Sequence, residues 1–225
     1  MHLRDLVQFL GELAENNNRA WFVMNKPRYD ILRLEFLELV TQLIADVSKF
    51  DPAVAGISPK KALFRIHRDL RFSHDKSPYK TRFSAALTAN PLTAAKLPSQ
   101  GGKPEYYFQI DARGTLIAAA GEYTPAPERL KAIRQQVVAD ADGFAKVVRD
   151  RKMKARFGGL QEEGKLTRPP KGFDADSPHI EFLKLRSFIV WTETSLHGKL
   201  PDDLAGDLTA AFRDAQPLVH WLRKA

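Results

Sequence analysis

The stretch Tyr106-Tyr107-Phe108-Gln109-Ile110-Asp111-Ala112-Arg113-Gly114-Thr115-Leu116-Ile117-Ala118-Ala119-Ala120 decides the fold class. Two apolar-rich runs of strand length are joined by Asp111 to Thr115, whose glycine tolerates the reversed backbone of a short connection, so the spacing predicts an antiparallel β-hairpin. An isolated hairpin is marginal in water and needs further strands and a covering layer. Upstream, Phe64 and Ile66 alternate with Arg65 and His67, and Phe83, Ala85 and Leu87 alternate with small or polar residues. This period of two predicts strands flanking a basic loop. Downstream, Ser187-Phe188-Ile189-Val190-Trp191-Thr192 is apolar on both faces and reads as an inner strand.

Helices surround these strands. Leu3, Leu6, Val7, Leu10 and Leu13 recur at helical spacing, and Asn16-Asn17-Asn18 supplies a stop and a cap for the next element. Tyr29, Leu32, Phe36, Leu39, Val40, Leu43 and Val47 form the stripe of the longest N-terminal helix, with Pro27 expected in its first turn. Residues 127–141 read as a helix, which 143–156 continue or follow with another, and Pro169-Pro170-Lys171-Gly172 is a loop. Pro201-Asp202-Asp203 opens a terminal helix carrying Leu204, Leu208 and Phe212, which Pro217 should end or kink. Residues 91–104 look like a flexible loop or lid inserted between strands. Helices, strands, helices, strand and helix do not alternate regularly. The prediction is therefore an α+β fold: a mainly antiparallel sheet packed by several helices in a single domain over 1–225, with a helical part at 1–50, a sheet-rich centre at 60–121 and a mixed part at 127–225.

Composition narrows the function classes. With 225 residues and 44% of them hydrophobic, the chain buries a core without staples. The absence of cysteine excludes disulfide scaffolds, thiolate metal centres and cysteine nucleophiles. No apolar run reaches a membrane-spanning length, and the first residues interleave charged with apolar positions, unlike a secretory signal. A soluble, cytoplasmic protein with no membrane partner is the expectation. The net charge of +8 is unevenly spread. Residues 60–82 hold eight basic residues against Asp69 and Asp75, and residues 149–171 another eight against Asp150, Glu162 and Glu163. Local positive clusters on a mildly acidic body favour phosphates, carboxylates or a nucleic-acid backbone. The second cluster has few apolar anchors and reads as side chains facing water.

The run from Phe64 to Arg82 carries the chemical signal. Arg65, Arg68, Arg71, Lys76, Lys80 and Arg82 are more cation than Asp69 and Asp75 neutralise, and guanidinium groups match carboxylate and phosphate oxygens in a two-pronged way. The aspartates would fix the basic side chains, Phe72 and Tyr79 would anchor the loop, and Ser77-Pro78 would fold its second half back. His67-Arg68-Asp69-Leu70 matches the kinase catalytic-loop tetrapeptide, yet His74 stands where asparagine should hold magnesium and the companion motifs are missing. Ser73-His74-Asp75-Lys76 fits SxxK without its partner motifs. No phosphate-binding glycine loop occurs, no ligand spacing makes His67 and His74 a metal site, and no cofactor is identified.

The run FRIHRDLRFSHDKSPYKTRFSA, with the N-terminal FLGELAENNNRAWFVMNKPRY, closely resembles the family known as domain of unknown function 2461. Its motif RDxRFSxDKxPYK is met by Arg68, Asp69, Arg71, Phe72, Ser73, Asp75, Lys76, Pro78, Tyr79 and Lys80. The resemblance extends to Tyr106–Ile110, Pro170–Phe173 and Leu183–Phe188, and its motif positions include Asn17, Trp21 and Phe22. It implies a single domain with a shared site and no established reaction.

Three readings follow. In the first, Arg65, Arg68, Arg71, Lys76, Lys80, Arg82 and Lys171 grip a small phosphate- or carboxylate-bearing ligand. If chemistry occurs there, Asp69 or Asp75 is the acid or base, Tyr79 a proton donor, and the arginines stabilise developing negative charge. In the second, both basic clusters bind nucleic acid. In the third, the loop is an ion-pair latch without a ligand. Oligomeric state is not legible.

Overall fold

The computed structural model describes residues 1–69, 71, 75–88, 103–198 and 200–225. Its hairpin is the expected one. Strand β2 (Glu105–Asp111) turns into β3 (Thr115–Glu122) through Asp111, whose Oδ1 accepts from the backbone amides of Arg113 and Thr115 at 2.9 and 3.0 Å. Gly114 takes φ +64° there, the left-handed geometry that a side chain resists. With β1 (Arg82–Thr88) and β4 (Phe188–Ser195) these strands make an antiparallel sheet in the order β1-β2-β3-β4, strand being about 16% of the described residues against 49% helix. The fold class is α+β, as the irregular succession of patterns predicts.

The chain divides into two compact units, the first comprising residues 1–87, 107–118 and 193–209. Here α1 (Leu3–Glu15) packs on α2 (Arg19–Ser48). Asn18 caps α2 by accepting from the Trp21 amide at 3.0 Å, satisfying an amide that the first turn leaves without a helical partner. Leu32, Phe36, Val40, Leu43 and Val47 are buried, and Phe36 stacks on Phe108 at 5.1 Å and meets the edge of Phe83 at 5.4 Å. Pro27 lies inside α2 and not in its first turn. The Asn18 cap and the burial of Phe22 pull the helix start upstream, and they outweigh the hydrogen bond that proline cannot donate. Two short elements follow, a 3-10 turn at Pro52–Val54 and α3 (Pro59–Ala62).

The second unit comprises residues 88–106, 119–192 and 210–225. The segment expected as one or two helices breaks into α4 (Pro127–Ala139), α5 (Ala141–Val148) and α6 (Arg151–Phe157). Two aspartates set the breaks: Asp140 accepts from Gly143 at 3.2 Å and Asp150 from Met153 at 2.9 Å, each opening a new helix. The short α7 (Ile180–Leu183) leads into β4. This strand ends the sheet order and is not an inner strand. Its apolar residues are nevertheless covered, since Phe188, Ile189 and Val190 are buried and the Gln161 amide donates to the Ile189 carbonyl at 2.9 Å. Gly121, at φ +124°, passes so close to Phe188 that a Cβ would collide with that residue's carbonyl oxygen. The last helix, α8 (Leu204–Leu222), continues through Pro217 because Leu218, Val219, Trp221 and Leu222 beyond it are all buried. No helix among the described residues is long and apolar enough to cross a membrane.

A buried ion pair ties this second unit together. The Glu122 carboxylate has no exposed surface and receives the Arg129 guanidinium, which also donates to the Leu222 carbonyl at 2.7 Å and to that of Ala225. Removing one partner strands the other charge in a poorly solvated site. Arg129→Ala is therefore expected to cost about 3–5 kcal/mol, read by urea denaturation. Glu105, half-buried at the start of β2, is pushed up to about 8 by burial and by the Glu122 carboxylate. The folded chain thus keeps a proton that the unfolded chain has released, so stability falls as pH rises from the ordinary carboxylate range to about 8. Glu105→Gln should flatten that fall in a series of melts across this window.

Candidate functional site

The basic run folds as an irregular antiparallel ribbon within the first unit. Leu63 pairs with Ala85 and His67 with Tyr79. The Phe64 amide donates to the Ser84 carbonyl at 3.0 Å, Lys80 to Ile66 at 2.8 Å, and Arg68 to Pro78 at 2.9 Å. From Phe64 to Ile66 one limb advances two residues while the other advances from Lys80 to Ser84. Thr81 to Phe83 therefore oppose Arg65 alone, a bulge that leaves Arg82 in solvent. Alternation does the rest: Ile66 is buried, whereas Arg65 and His67 are exposed.

Tyr79 fixes this ribbon to the helices. The Asn17 side chain imitates a strand partner, donating from Nδ2 to the Tyr79 carbonyl at 2.9 Å and accepting the Tyr79 amide at 3.1 Å. The buried Tyr79 ring stacks on Phe22 with centroids 4.0 Å apart, and the His67 ring lies 5.3 Å away. Tyr79 thus fulfils its expected anchoring role, while Leu70, Phe72, Ser73 and His74 lie outside the described residues, as do 91–102 of the expected lid.

The charges sort into two classes. Arg68 Nη1 pairs with Asp75 at 2.9 Å, and Asp75 also accepts the Ser77 amide at 2.9 Å. Arg71 engages both oxygens of Asp69 at 3.0 and 2.7 Å, and its amide donates to Asp69 Oδ1 at 3.2 Å. The Arg71 hydrogen bonds hold Asp69 far below the usual carboxylate range, and the Ser77 bonds lower Asp75. By contrast, Arg65, Lys80 and Arg82 form no ion pair among the described residues, and the sequence outside those residues contains no Asp or Glu. Lys80 is half-buried with its ammonium 5.3 Å from the centre of the Phe64 ring, a cation–π contact. Phe64 in turn meets the edge of Tyr107 at 6.0 Å, whose hydroxyl donates to Gln109 Oε1 at 2.7 Å. Burial, then the fields of Arg82, Arg65 and Arg68, push the Lys80 ammonium below its ordinary value. The Arg68 Nε is buried with no hydrogen-bond partner among the described residues.

The structure therefore brings Arg65, Arg68, Lys80 and Arg82 into one electrostatic cluster and sets Arg71 on Asp69 at its solvent-exposed margin. Lys76 is exposed on the same loop, and Lys171 is exposed in the second unit. The family resemblance singles out Asn17 among three successive asparagines, but its clamp on Tyr79 is not legible in the sequence because the partners are 62 residues apart. Nor did sequence reasoning reach the aromatic floor of Phe64 and Tyr107, since rings that meet edge to face from distant parts of the chain leave no local spacing. Asn17→Ala should lower stability by about 1–3 kcal/mol through two unpaired backbone groups, measured by chemical denaturation with the helix signal retained.

Residues 5–221 match the family described as conserved hypothetical protein (DUF2461). No curated protein and no solved structure matches the chain.

Proposed function

The chain belongs to the DUF2461 family, and from that premise we propose that it binds a small phosphate- or carboxylate-bearing ligand at Arg65, Lys80 and Arg82, with Arg68 held beside them. One observation carries the reading: a half-buried ammonium with no carboxylate partner among the described residues, in the field of three arginines. Partial burial of a cation and crowding by like charges both cost free energy, and an anion offsets both at once. In this reading the latch and the ligand site are two parts of one loop. Asp69 and Asp75 are fixed counter-charges for Arg71 and Arg68, while Arg65, Lys80 and Arg82 are left for the ligand. A carboxyl held ionised well below neutrality has no proton to give, so the proposal uses binding and assigns Asp69 and Asp75 no acid role. The Phe64 and Tyr107 rings beside Lys80 supply an apolar wall for the remainder of the ligand.

The nucleic-acid reading gains less support. It needs both basic clusters, yet in the second unit Arg156 pairs with Asp214 at 2.6 Å and Lys165 with Glu162 and Glu181 at 2.7 and 3.1 Å. Lys80→Met is expected to abolish the thermal stabilisation that inorganic phosphate or citrate gives the parent. It should leave the ligand-free melting temperature equal or higher, because an uncompensated charge is replaced by an apolar chain of similar length. Equal anion-induced shifts in parent and variant would overturn the site. An oligonucleotide affinity falling about one log unit per log unit of salt for each phosphate contact would favour nucleic acid.

A further inference from the structure

Strand β2 sorts its side chains by face. Tyr106, Phe108 and Ile110 are buried, while Tyr107 and Gln109, on the opposite side of the strand, keep part of their surface accessible. The Tyr107 hydroxyl donates to Gln109 Oε1 at 2.7 Å, so this ring is held at its rim as well as at its stem. Phe64, itself half-buried in the first limb of the ribbon, meets Tyr107 with centroids 6.0 Å apart and planes at 84°. Two rings in this relation form a corner, one presenting a face where the other presents an edge.

Contacts run from the cations into this corner in one series. Lys80 Nζ lies 5.3 Å from the centre of the Phe64 ring, Phe64 meets Tyr107, and Tyr107 bonds Gln109. Arg65 and Arg82 act on Lys80 through their fields and, like it, form no ion pair among the described residues. A ligand that follows this series has an acid group first and then a part that meets two perpendicular rings. A flexible alkyl chain loses rotamer freedom in settling there and gains only burial. A flat aromatic ring has little such freedom to lose, packs offset on one wall with its edge toward the other, and attracts the neighbouring ammonium and guanidinium groups to its face. We propose that the ligand is an aromatic acid, an aryl phosphate or aryl carboxylate, whose ring seats against Phe64 and Tyr107 while its acid group takes Arg65, Lys80 and Arg82. This rests on the anion-binding reading of the basic loop and adds to it the chemical class of the ligand.

Calorimetric titration of the full chain with inorganic, methyl, cyclohexyl and phenyl phosphate separates charge, bulk and aromaticity without any substitution. Phenyl phosphate is expected to bind about tenfold tighter than methyl phosphate and about threefold tighter than cyclohexyl phosphate. Tyr107→Leu keeps an apolar side chain on the strand and removes the ring. It should erase the preference for phenyl over cyclohexyl and leave the affinity for inorganic phosphate within about twofold of the parent. Inorganic phosphate that fails to bind the parent overturns the anion site and the aromatic class together. Phosphate binding with no preference for the phenyl compound overturns the aromatic class alone and leaves the anion site standing. A preference that survives in Tyr107→Leu also overturns it, as does a single-stranded oligonucleotide that binds tighter than phenyl phosphate at equal salt, since base stacking along a strand then accounts for the rings.

Discussion

The geometry of the basic loop depends on the grip of Asn17 and Phe22 on Tyr79. Two side-chain-to-backbone hydrogen bonds hold the main chain and a stacked ring holds the side chain, so the residue is fixed in both position and tilt. Because Tyr79 is paired across the ribbon with His67, fixing one limb fixes the other. The bulge that follows then places Lys80 inward and Arg82 outward. Electrostatic crowding on the loop is thus imposed by hydrophobic and hydrogen-bonding contacts that are themselves neutral.

Within that frame the ion pairs are cheap and local. Arg71 and Asp69 are separated by one residue, and Arg68 reaches Asp75 across the same loop, so little chain entropy is lost in forming either. Exposed pairs of this kind contribute little to stability. Their effect is to orient two guanidinium groups while Arg65, Lys80 and Arg82 form no ion pair among the described residues, which is where the proposed ligand affinity comes from.

The hairpin, the two N-terminal helices and the cation-rich loop were legible in the sequence because each rests on local periodicity or composition. What escaped depended on distant contacts. Pro27 and Pro217 look like helix boundaries until the buried residues beyond them, Leu32 or Trp221, outweigh a missing hydrogen bond. The stretch Phe188–Val190 is apolar on both faces, like a central strand, but coil at Gln161 covers it. Asp140 and Asp150 resemble ordinary surface acids, and only the folded chain makes them caps. The sequence displays the excess of basic over acidic groups in the loop; which cations the aspartates claim is decided by the ribbon register.

The lysine over the Phe64 ring has a consequence for reactivity. An amine that has lost part of its proton affinity through desolvation and neighbouring cations spends more time as the free base, and the free base is the nucleophile. Acylating or carbamylating reagents at limiting concentration are therefore expected to favour Lys80 over exposed lysines, to the extent that they reach it. That selectivity offers a covalent handle at the centre of the basic loop.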